Sequence, residues 1–563
     1  MTYRLAIVED NATARANLRS HLLNAGPFEI SSFSNGKELK AALRKQHFEM
    51  LLLDFHLGEN KTGVEWFTEL RAANFILPST GVVFMTSDRM PQTIGKIIDC
   101  QPDLLLIKPY NMNTLNRGLQ HYIAYREFVK DALQAIDSGD RGLALRLLRQ
   151  KLKTEVPARL RNDIIKLKAQ LFFDVGDLNR AQALYDNILL QSDKVLWALW
   201  GKIKCFYVAG NWAGCKEDLS KLLDTQLARD KAFEWLAGLC FEQQAYSQAE
   251  YFLDHIKDSE LSIPATRLKS MTYQRQDRVM EGIELLQKKR DGNRSARERF
   301  NEFTFELAEF YLSIAEQQPA MHREESLLQA RKLVGVAARN QADQQLLQKR
   351  DILLAYSAIL ENDPRKANHL MLQNGQNEQN NYADNYQRAD TGSLIVAAKV
   401  FNGIKQPEKA RELLAMAHQR NQNNLSLSDQ ITHQQSLSGT ERQLGIAAEQ
   451  AFELNDTGMA LYSKKAYLKA MYYFYQAYQL LPDTPAFGLN LLQCMVDASH
   501  PAYRSWTVLT LLEKMQSAAL SGNNQARLKR IINLINEQEA LYASAKAIDM
   551  TDINEHKPAH SDG

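Results

Sequence analysis

The first 125 residues alternate short apolar runs with amphipathic stretches. Each run is four or five residues long and is bounded by polar residues, glycine or proline, which is typical of buried strands. Amphipathic stretches of helical character separate the runs, and this alternation predicts a parallel sheet covered by helices. The five predicted strands are Arg4–Val8, Glu29–Phe33, Met50–Asp54, Gly81–Met85 and Leu104–Ile107.

After Tyr125 the pattern becomes helical and no further strand is predicted. A small residue recurs five positions after a turn, as from Gly139 to Ala144 and from Gly176 to Ala181. A period near 34 residues is typical of tetratricopeptide repeats, in which two antiparallel helices approach closely at the small residue. The small positions Ala144, Ala181, Cys215, Ala249 and Gly282 are separated by 37, 34, 34 and 33 residues.

The clearest repeat lies near the C-terminus, at 451–484. Its consensus positions are Gly458, Tyr467, Ala470, Phe474, Ala477 and Pro482. Further copies are expected around Ala330, Ala367 and Ala410. A helical bundle rich in Ala and Leu, without repeat order, is the alternative interpretation.

The pattern predicts a multidomain chain. Its expected parts are an α/β domain at 1–125, tetratricopeptide-like helices at 126–373, a polar linker at 374–393, a second helical block at 394–548 and a disordered tail at 549–563. His418–Gly439 is also polar and is expected to form a loop. Apolar periodicity continues from Thr114 to Ala135 without proline, which predicts a rigid helical junction between the two halves.

Composition narrows the classes of function. A length of 563 residues implies several domains or a repeat array, and the absence of a signal or membrane-spanning segment predicts a cytoplasmic protein. The five cysteines show no CxxC spacing and are expected to be reduced thiols. The chain has 68 basic and 66 acidic residues, of which 14 basic and 12 acidic residues lie in 1–126. The remaining part of the chain therefore carries 54 basic and 54 acidic residues. This balance does not support nucleic-acid binding.

Polar residues stand where the predicted strands end. The carboxyl ends of parallel strands share one edge of a sheet, so these side chains are expected to converge on one crevice. They are Glu9 and Asp10, Asp54, Thr86 and Ser87, and Lys108 followed by Pro109. Three carboxylates repel one another, and Mg²⁺ is the natural neutralising cation. With that charge offset, Asp54 can attack an incoming phosphoryl group and Thr86 can hydrogen-bond it.

In order and strand context these residues resemble the receiver domain of two-component response regulators, the flavodoxin-like fold of the chemotaxis protein CheY. The resemblance implies that Asp54 accepts phosphate from a histidine kinase or a phosphotransfer protein, and that Lys108 precedes a cis proline. It also implies direct Mg²⁺ ligation by Asp10 and Asp54, with Glu9 acting through water. The backbone carbonyl of His56 would complete the protein ligands.

Some positions depart from the receiver pattern or tune it. Leu105 stands where receivers commonly carry an aromatic residue that couples to the threonine, which places the usual switch in question. The loop after the acceptor reaches Gly63 one residue later than is frequent. By the same resemblance, His56 and Asp88 lie at positions that tune the lifetime of the phosphate, and a solvated loop histidine is the other interpretation of His56.

No helix-turn-helix domain, enzymatic output domain or second catalytic motif follows. A non-enzymatic signalling protein is therefore expected, with at most weak self-phosphorylation from small donors and autodephosphorylation. Its output is expected to be protein binding on the concave surface of the array, with no membrane contact. One alternative is a phosphate-independent scaffold with a vestigial receiver. The other is nucleic-acid binding through Gln525–Ile532, which carries Arg527, Lys529 and Arg530.

Overall fold

The structure of the chain is a computed structural model. It describes residues 3–26, 28–58, 61–153, 156–317, 320–337, 339, 344–373, 386–387, 389–422, 424, 426–538 and 541–542. The predicted tail at 549–563 and most of the predicted linker at 374–393 lie outside the described residues.

The N-terminal part is a five-stranded parallel sheet with helices on both faces. The strands are β1 (Tyr3–Val8), β2 (Phe28–Phe33), β3 (Met50–Asp54), β4 (Gly81–Thr86) and β5 (Leu104–Ile107), in the spatial order β2-β1-β3-β4-β5. The helices are α1 (Ala12–Ala25), α2 (Gly36–Leu43), α3 (Gly63–Ala72), α4 (Pro91–Asp99) and α5 (Met112–Phe128). Every residue of β3 and β4 is buried, which explains their continuous apolar sequence. All five predicted strands are confirmed.

Antiparallel helices follow in pairs. They are α6 (Lys130–Asp137), α7 (Arg141–Lys151), α8 (Arg161–Asp174), α9 (Leu178–Leu189), α10 (Leu196–Ala209), α11 (Trp212–Leu222), α12 (Arg229–Glu242), α13 (Tyr246–Asp254), α14 (Ile263–Arg275), α15 (Val279–Gly292), α16 (Arg297–Gln317), α17 (Ala320–Ala337), α18 (Gln344–Leu360) and α19 (Pro364–Gln373). After the linker come α20 (Thr391–Gly403), α21 (Pro407–Gln422), α22 (Leu427–Gln443), α23 (Ala447–Ser463), α24 (Tyr467–Leu480), α25 (Pro485–Asp497), α26 (Val508–Gln516) and α27 (Gly522–Glu537). A short 3₁₀ helix, Ala158–Leu160, precedes α8.

The predicted small residues lie in the second helix of their pairs, where they are buried. They are Ala144, Ala181, Cys215, Ala249, Gly282, Ala330, Ala367 and Ala410. Close approach of neighbouring helices explains the size restriction, since a Cβ atom on Gly282 would lie 3.3 Å from the Ser270 carbonyl oxygen in α14 and 2.7 Å from the Phe310 ring in α16. The same distance separates a Cβ on Gly458 from the ring of Phe474 in the predicted C-terminal unit. The tetratricopeptide-like prediction is confirmed.

The prediction of a loop at His418–Gly439 is wrong, because this segment is helical in α21 and α22. The helix α22 buries Leu427, Ile431 and Leu437. Its hydroxyls bond to carbonyls one turn earlier, as Thr432 does to Ser428 and Thr440 to Ser436. These internal bonds satisfy polar groups that the sequence pattern associates with loops.

Two further boundaries differ from the sequence pattern. The predicted linker ends earlier than Ser393, because Asp390 caps α20 at its N-terminus. The prediction that no strand follows Tyr125 is also wrong. A hairpin joins β6 (Ala502–Tyr503) to β7 (Trp506–Thr507), and strands of two residues are too short to leave a period in the sequence.

The junction between the two halves is one residue long. Helix α5 ends at Phe128 and α6 begins at Lys130. The Val129 N–H donates to the Tyr125 carbonyl at 3.0 Å, and the Leu133 N–H donates to the Val129 carbonyl at 3.0 Å. Helical hydrogen bonding therefore reaches Val129 from both sides, but the Val129 backbone, with φ −102° and ψ 12°, interrupts the single helix that the sequence predicts.

The array folds back on itself. Helix α22 packs against α12 and α14, where Arg267 bonds to Asp429 at 2.6 Å. At the hairpin, the Arg504 N–H donates to the carbonyl of Gly210 at 2.7 Å. The second helical block therefore lies on the first one. None of the described helices has the length and apolar character that crossing a bilayer requires.

Candidate functional site

Three carboxylates and one ammonium group meet at the carboxyl end of the sheet. Glu9 and Asp10 follow β1, Asp54 ends β3, and Lys108 follows β5. One oxygen of each carboxylate lies within 4.8 Å of those of the other two. Lys108 Nζ lies 2.6 Å from Glu9 Oε2 and 3.1 Å from Asp54 Oδ1. The structure thus brings together four residues from three distant segments of the sequence, as the sequence predicts.

Burial sets the electrostatics of this site. Asp54 is only 5 % exposed. This burial, reinforced by the neighbouring Glu9 carboxylate and opposed by Lys108, raises the pKa of Asp54 to about 6. Burial alone would lower the pKa of Lys108, but its bonds to Glu9 and Asp54 raise it overall. The ammonium group therefore stays charged beside a carboxylate that is easily protonated.

The donor set fits a divalent cation. Asp54 Oδ1 is buried and accepts no hydrogen bond of good geometry, although Lys108 Nζ lies 3.1 Å away. Asp10 is exposed, and a Cβ atom on Gly58 would lie 3.7 Å from its Oδ2 atom. Gly58 adopts a φ of 77°, so the loop can pass close to Asp10. Clustered carboxylate oxygens, one of them poorly satisfied, are suited to Mg²⁺.

Thr86 ends β4 beside β3, the strand that Asp54 ends, and is fully buried. Its neighbour Met85 is the register partner of Asp54. The Thr86 hydroxyl accepts a hydrogen bond from the Asp88 N–H at 3.0 Å. Asp88 in turn accepts bonds from the Met90 N–H, at 2.8 Å, and the Thr93 hydroxyl, and these bonds lower its pKa. Asp88 thus ties the threonine to the start of α4.

The remaining predicted positions surround this site. The Lys108–Pro109 peptide bond is cis, as the resemblance implies. His56 is exposed, and its ring lies edge-on to Phe55 at 4.9 Å between centroids. Leu105 is partly buried against the apolar core on one face of the sheet. The Leu105 side chain has no polar atom, so it cannot form a hydrogen bond that responds to the position of Thr86.

The basic residues of the alternative nucleic-acid site are partly engaged within the fold. Arg527 Nη1 donates to Asn490 Oδ1 at 2.7 Å, and Arg527 Nε bonds to Gln493. The guanidinium group therefore joins α27 to α25. This arrangement favours a structural role for Arg527 over phosphate binding.

The sequence did not predict that the sheet domain docks on the helical array. Ion pairs join α2, α3 and the loop before α3 to the first turns of α16. They are Lys37–Glu298, Lys61–Glu302 and Glu65–Arg299. Helix α4 docks nearby through Asp99–Lys231 at 2.8 Å and through Lys96–Glu260. The one sequence signal was Gly95, an unexplained glycine inside an amphipathic helix.

Known proteins are similar to different parts of this chain. Residues 5–120 match the family model described as the response regulator receiver domain. The BeF3-activated DrrB receiver domain is 18 % identical, with 22 % of this chain and 99 % of that chain covered and a TM-score of 0.20. A tetratricopeptide repeat protein from Parabacteroides merdae is 15 % identical over 50 % of this chain and 98 % of that chain, with a TM-score of 0.32. Yeast Tom70 is 13 % identical, with 77 % and 99 % covered and a TM-score of 0.20. No curated protein matches the chain.

Proposed function

We propose that this chain is a phosphorylation-gated response regulator whose output is protein binding, because residues 5–120 match the response regulator receiver domain and a tetratricopeptide-like array follows. The observation that carries the proposal is the cluster of Glu9, Asp10 and Asp54, with Lys108 in contact with two of them. This is the set of charges that a phosphoryl group needs around an aspartate nucleophile.

Asp54 is the proposed phospho-acceptor. One of its carboxylate oxygens forms a bond to phosphorus, while the bond from phosphorus to the donor breaks and the donor leaves with the electron pair. For a histidine kinase or phosphotransfer protein, that donor is a phosphorylated imidazole, and the bond broken is P–N. Lys108 offsets charge on the phosphoryl oxygens, and Thr86 donates its hydroxyl hydrogen to one of them.

The residues that would hold Mg²⁺ are Asp10 and Asp54 directly, Glu9 through water, and His56 through its backbone carbonyl. The ion would supply positive charge that offsets the carboxylates and the phosphoryl oxygens. Lys108 keeps Glu9 in place by its 2.6 Å contact. His56 and Asp88 are proposed to tune the lifetime of the phosphate.

The helical array is the proposed output element, binding a protein that remains to be identified. A phosphate-independent scaffold is the second candidate. It is favoured by the charged contacts between α3, α4 and the array, since these would also suit a purely structural receiver. Equal partner binding by the wild type and Asp54→Asn would support the scaffold.

Phosphorylation of the full-length chain by acetyl phosphate tests the proposal. With Mg²⁺ we expect one phosphoryl group per chain, and none after chelation of the metal or in Asp54→Asn. The matched control is Asp456→Asn, which changes an aspartate in α23, far from the sheet in sequence, and should leave the reaction unchanged. Equal labelling of the wild type and Asp54→Asn would contradict the proposal.

A further inference from the structure

Lys61 joins the loop that leaves Asp54 to the helical array. Its Nζ lies 2.6 Å from Glu69 Oε2 in α3 and is also paired with Glu302 in α16. The Lys61 side chain is only 9 % exposed, and its ammonium group lies 5.2 Å from the centroid of the Trp66 ring. A single buried cation therefore bridges two carboxylates that belong to different domains.

The loop carrying Lys61 is closed at its base against the acceptor strand. The Gly63 N–H donates to the Phe55 carbonyl at 2.8 Å. A Cβ atom on Gly63 would lie 2.1 Å from the backbone carbonyl oxygen of Asp54, so glycine is required there. Because a hydrogen bond joins Phe55 and Gly63 at the two ends of the loop, a movement of Asp54 is transmitted to Lys61 through only a few residues.

Glu302 depends on Lys61 for charge balance, whereas Glu69 is also paired with Lys40, whose Nζ lies 3.0 Å from Glu69 Oε1. Glu302 faces Glu69 and Glu65 as well as Lys61, and burial together with these carboxylates raises its pKa although Lys61 opposes the shift. Burial lowers the pKa of Lys61, and the attraction of Glu302 and Glu69 more than reverses that effect. Without the cation, Glu302 and Glu69 would repel each other across the interface.

We propose that Lys61 links phosphorylation of Asp54 to the docking of the receiver on the array, by leaving Glu302 when the loop moves and so releasing α3 from α16. This inference rests on the proposed phosphorylation of Asp54, which adds about one negative charge at the base of the loop. Because Lys61 already contacts both carboxylates at hydrogen-bonding distance, its displacement can only weaken the interface.

Amide hydrogen exchange on the full-length chain tests this link, with peptides that cover α3 and the first half of α16. With beryllofluoride and Mg²⁺ as the phosphate mimic, we expect exchange in both helices to rise at least about tenfold, a change of roughly 1.4 kcal/mol. Lys61→Ala should give the same increase without the mimic. The matched control is Lys288→Ala, which removes a lysine that pairs with Asp258 on the surface.

A double variant distinguishes the proposed link through Lys61 from a general loss of structure at the interface. In Lys61→Ala with Glu302→Gln, the amide can donate a hydrogen bond to Glu69, so protection should return and should no longer respond to the mimic. Unchanged exchange in Lys61→Ala, or no recovery in the double variant, would overturn the inference. Acetyl phosphate labelling of the same samples distinguishes the two proposals. Phosphorylation at Asp54 without faster exchange contradicts only the link, whereas absence of phosphorylation contradicts the proposed function.

Discussion

Gly95 in α4 and the backbone carbonyl of Leu227 approach so closely that a Cβ atom at position 95 would lie 2.1 Å from the carbonyl oxygen. No side chain can occupy that space without movement of a backbone. In the same helix, Asp99 pairs with Lys231 of α12, and the Lys231 ammonium group also lies 4.4 Å from the centroid of the Trp200 ring. The receiver is thus seated on the array at a position where only glycine fits.

Replacing Gly95 with arginine should therefore separate α4 from the array. A backbone neighbour cannot give way as a side chain can, so we expect a loss of about 1–3 kcal/mol in the docked arrangement. Small-angle X-ray scattering of the full chain should give a larger radius of gyration. Gly335→Arg is the control, because a Cβ atom there meets nothing within 4 Å in α17. An unchanged scattering curve for Gly95→Arg would contradict this seating.

Mg²⁺ affinity should fall at acidic pH. Burial and Glu9 raise the pKa of Asp54 to about 6, so protons compete with the metal below that pH. We expect affinity to be nearly constant above pH 7 and to drop by up to about tenfold for each pH unit below 6. Isothermal titration calorimetry at several pH values measures this dependence.

Lys108→Ala provides the matching comparison for the pH dependence. Lys108 opposes the upward shift at Asp54, so its removal should move the midpoint of the affinity curve to higher pH. Equal affinity at pH 5 and pH 7.5 in the wild type would argue against an ionised Asp54 in the metal site.

Docking of the receiver on the array should weaken as pH rises. Burial, with Glu69 and Glu65 nearby, raises the pKa of Glu302 from 4.5 to about 7 in the docked state. A carboxyl with a raised pKa binds a proton more readily in that state, so its favourable contribution is present at low pH and is lost between about pH 4.5 and 7. The protection factors of α16 amides, which correct for the intrinsic pH dependence of exchange, should therefore fall across this range in the wild type, and less so in Glu302→Gln. Parallel pH profiles for the two proteins would refute the assignment.

The C-terminal hairpin should contribute to global stability through Arg504. Its guanidinium carbon lies 4.8–6.0 Å from the centroids of four aromatic rings, those of Tyr475, Tyr472, Trp212 and Tyr503. A desolvated cation–π contact contributes about 2 kcal/mol, and Arg504→Ala should lower the thermal midpoint measurably. Arg294→Ala, at an exposed position after α15, should have little effect. Equal losses in both variants would contradict a closing role for the hairpin.

Much of the sheet and its site could be predicted because the causes are local. Leu51–Leu53 are buried on both faces of the sheet and leave an unbroken apolar run. Parallel topology then brings Asp54 and Lys108 together regardless of their separation. The small residues of the array, such as Ala181, follow from packing between neighbouring helices.

The interface could not be predicted, because its partners are distant in sequence and individually ordinary. Lys61 and Glu302 are exposed residue types by any sequence criterion, and only the fold places them in contact. Thr432 and Ser436 lie in a segment whose polar sequence predicted a loop, but their hydroxyls are satisfied within the helix itself. A segment rich in Ser and Thr indicates a loop only when the segment does not form a helix with a buried apolar face.

Locating the phosphoryl group tests the central claim most directly. The full-length chain is incubated with Mg²⁺ and acetyl phosphate and then reduced with borohydride, which converts an aspartyl phosphate to homoserine. Tandem mass spectrometry of the peptide spanning β3 should find homoserine at position 54, and only when both metal and donor are present. Unmodified Asp54 in a chain that is otherwise folded, or homoserine at position 10 instead, would contradict the account.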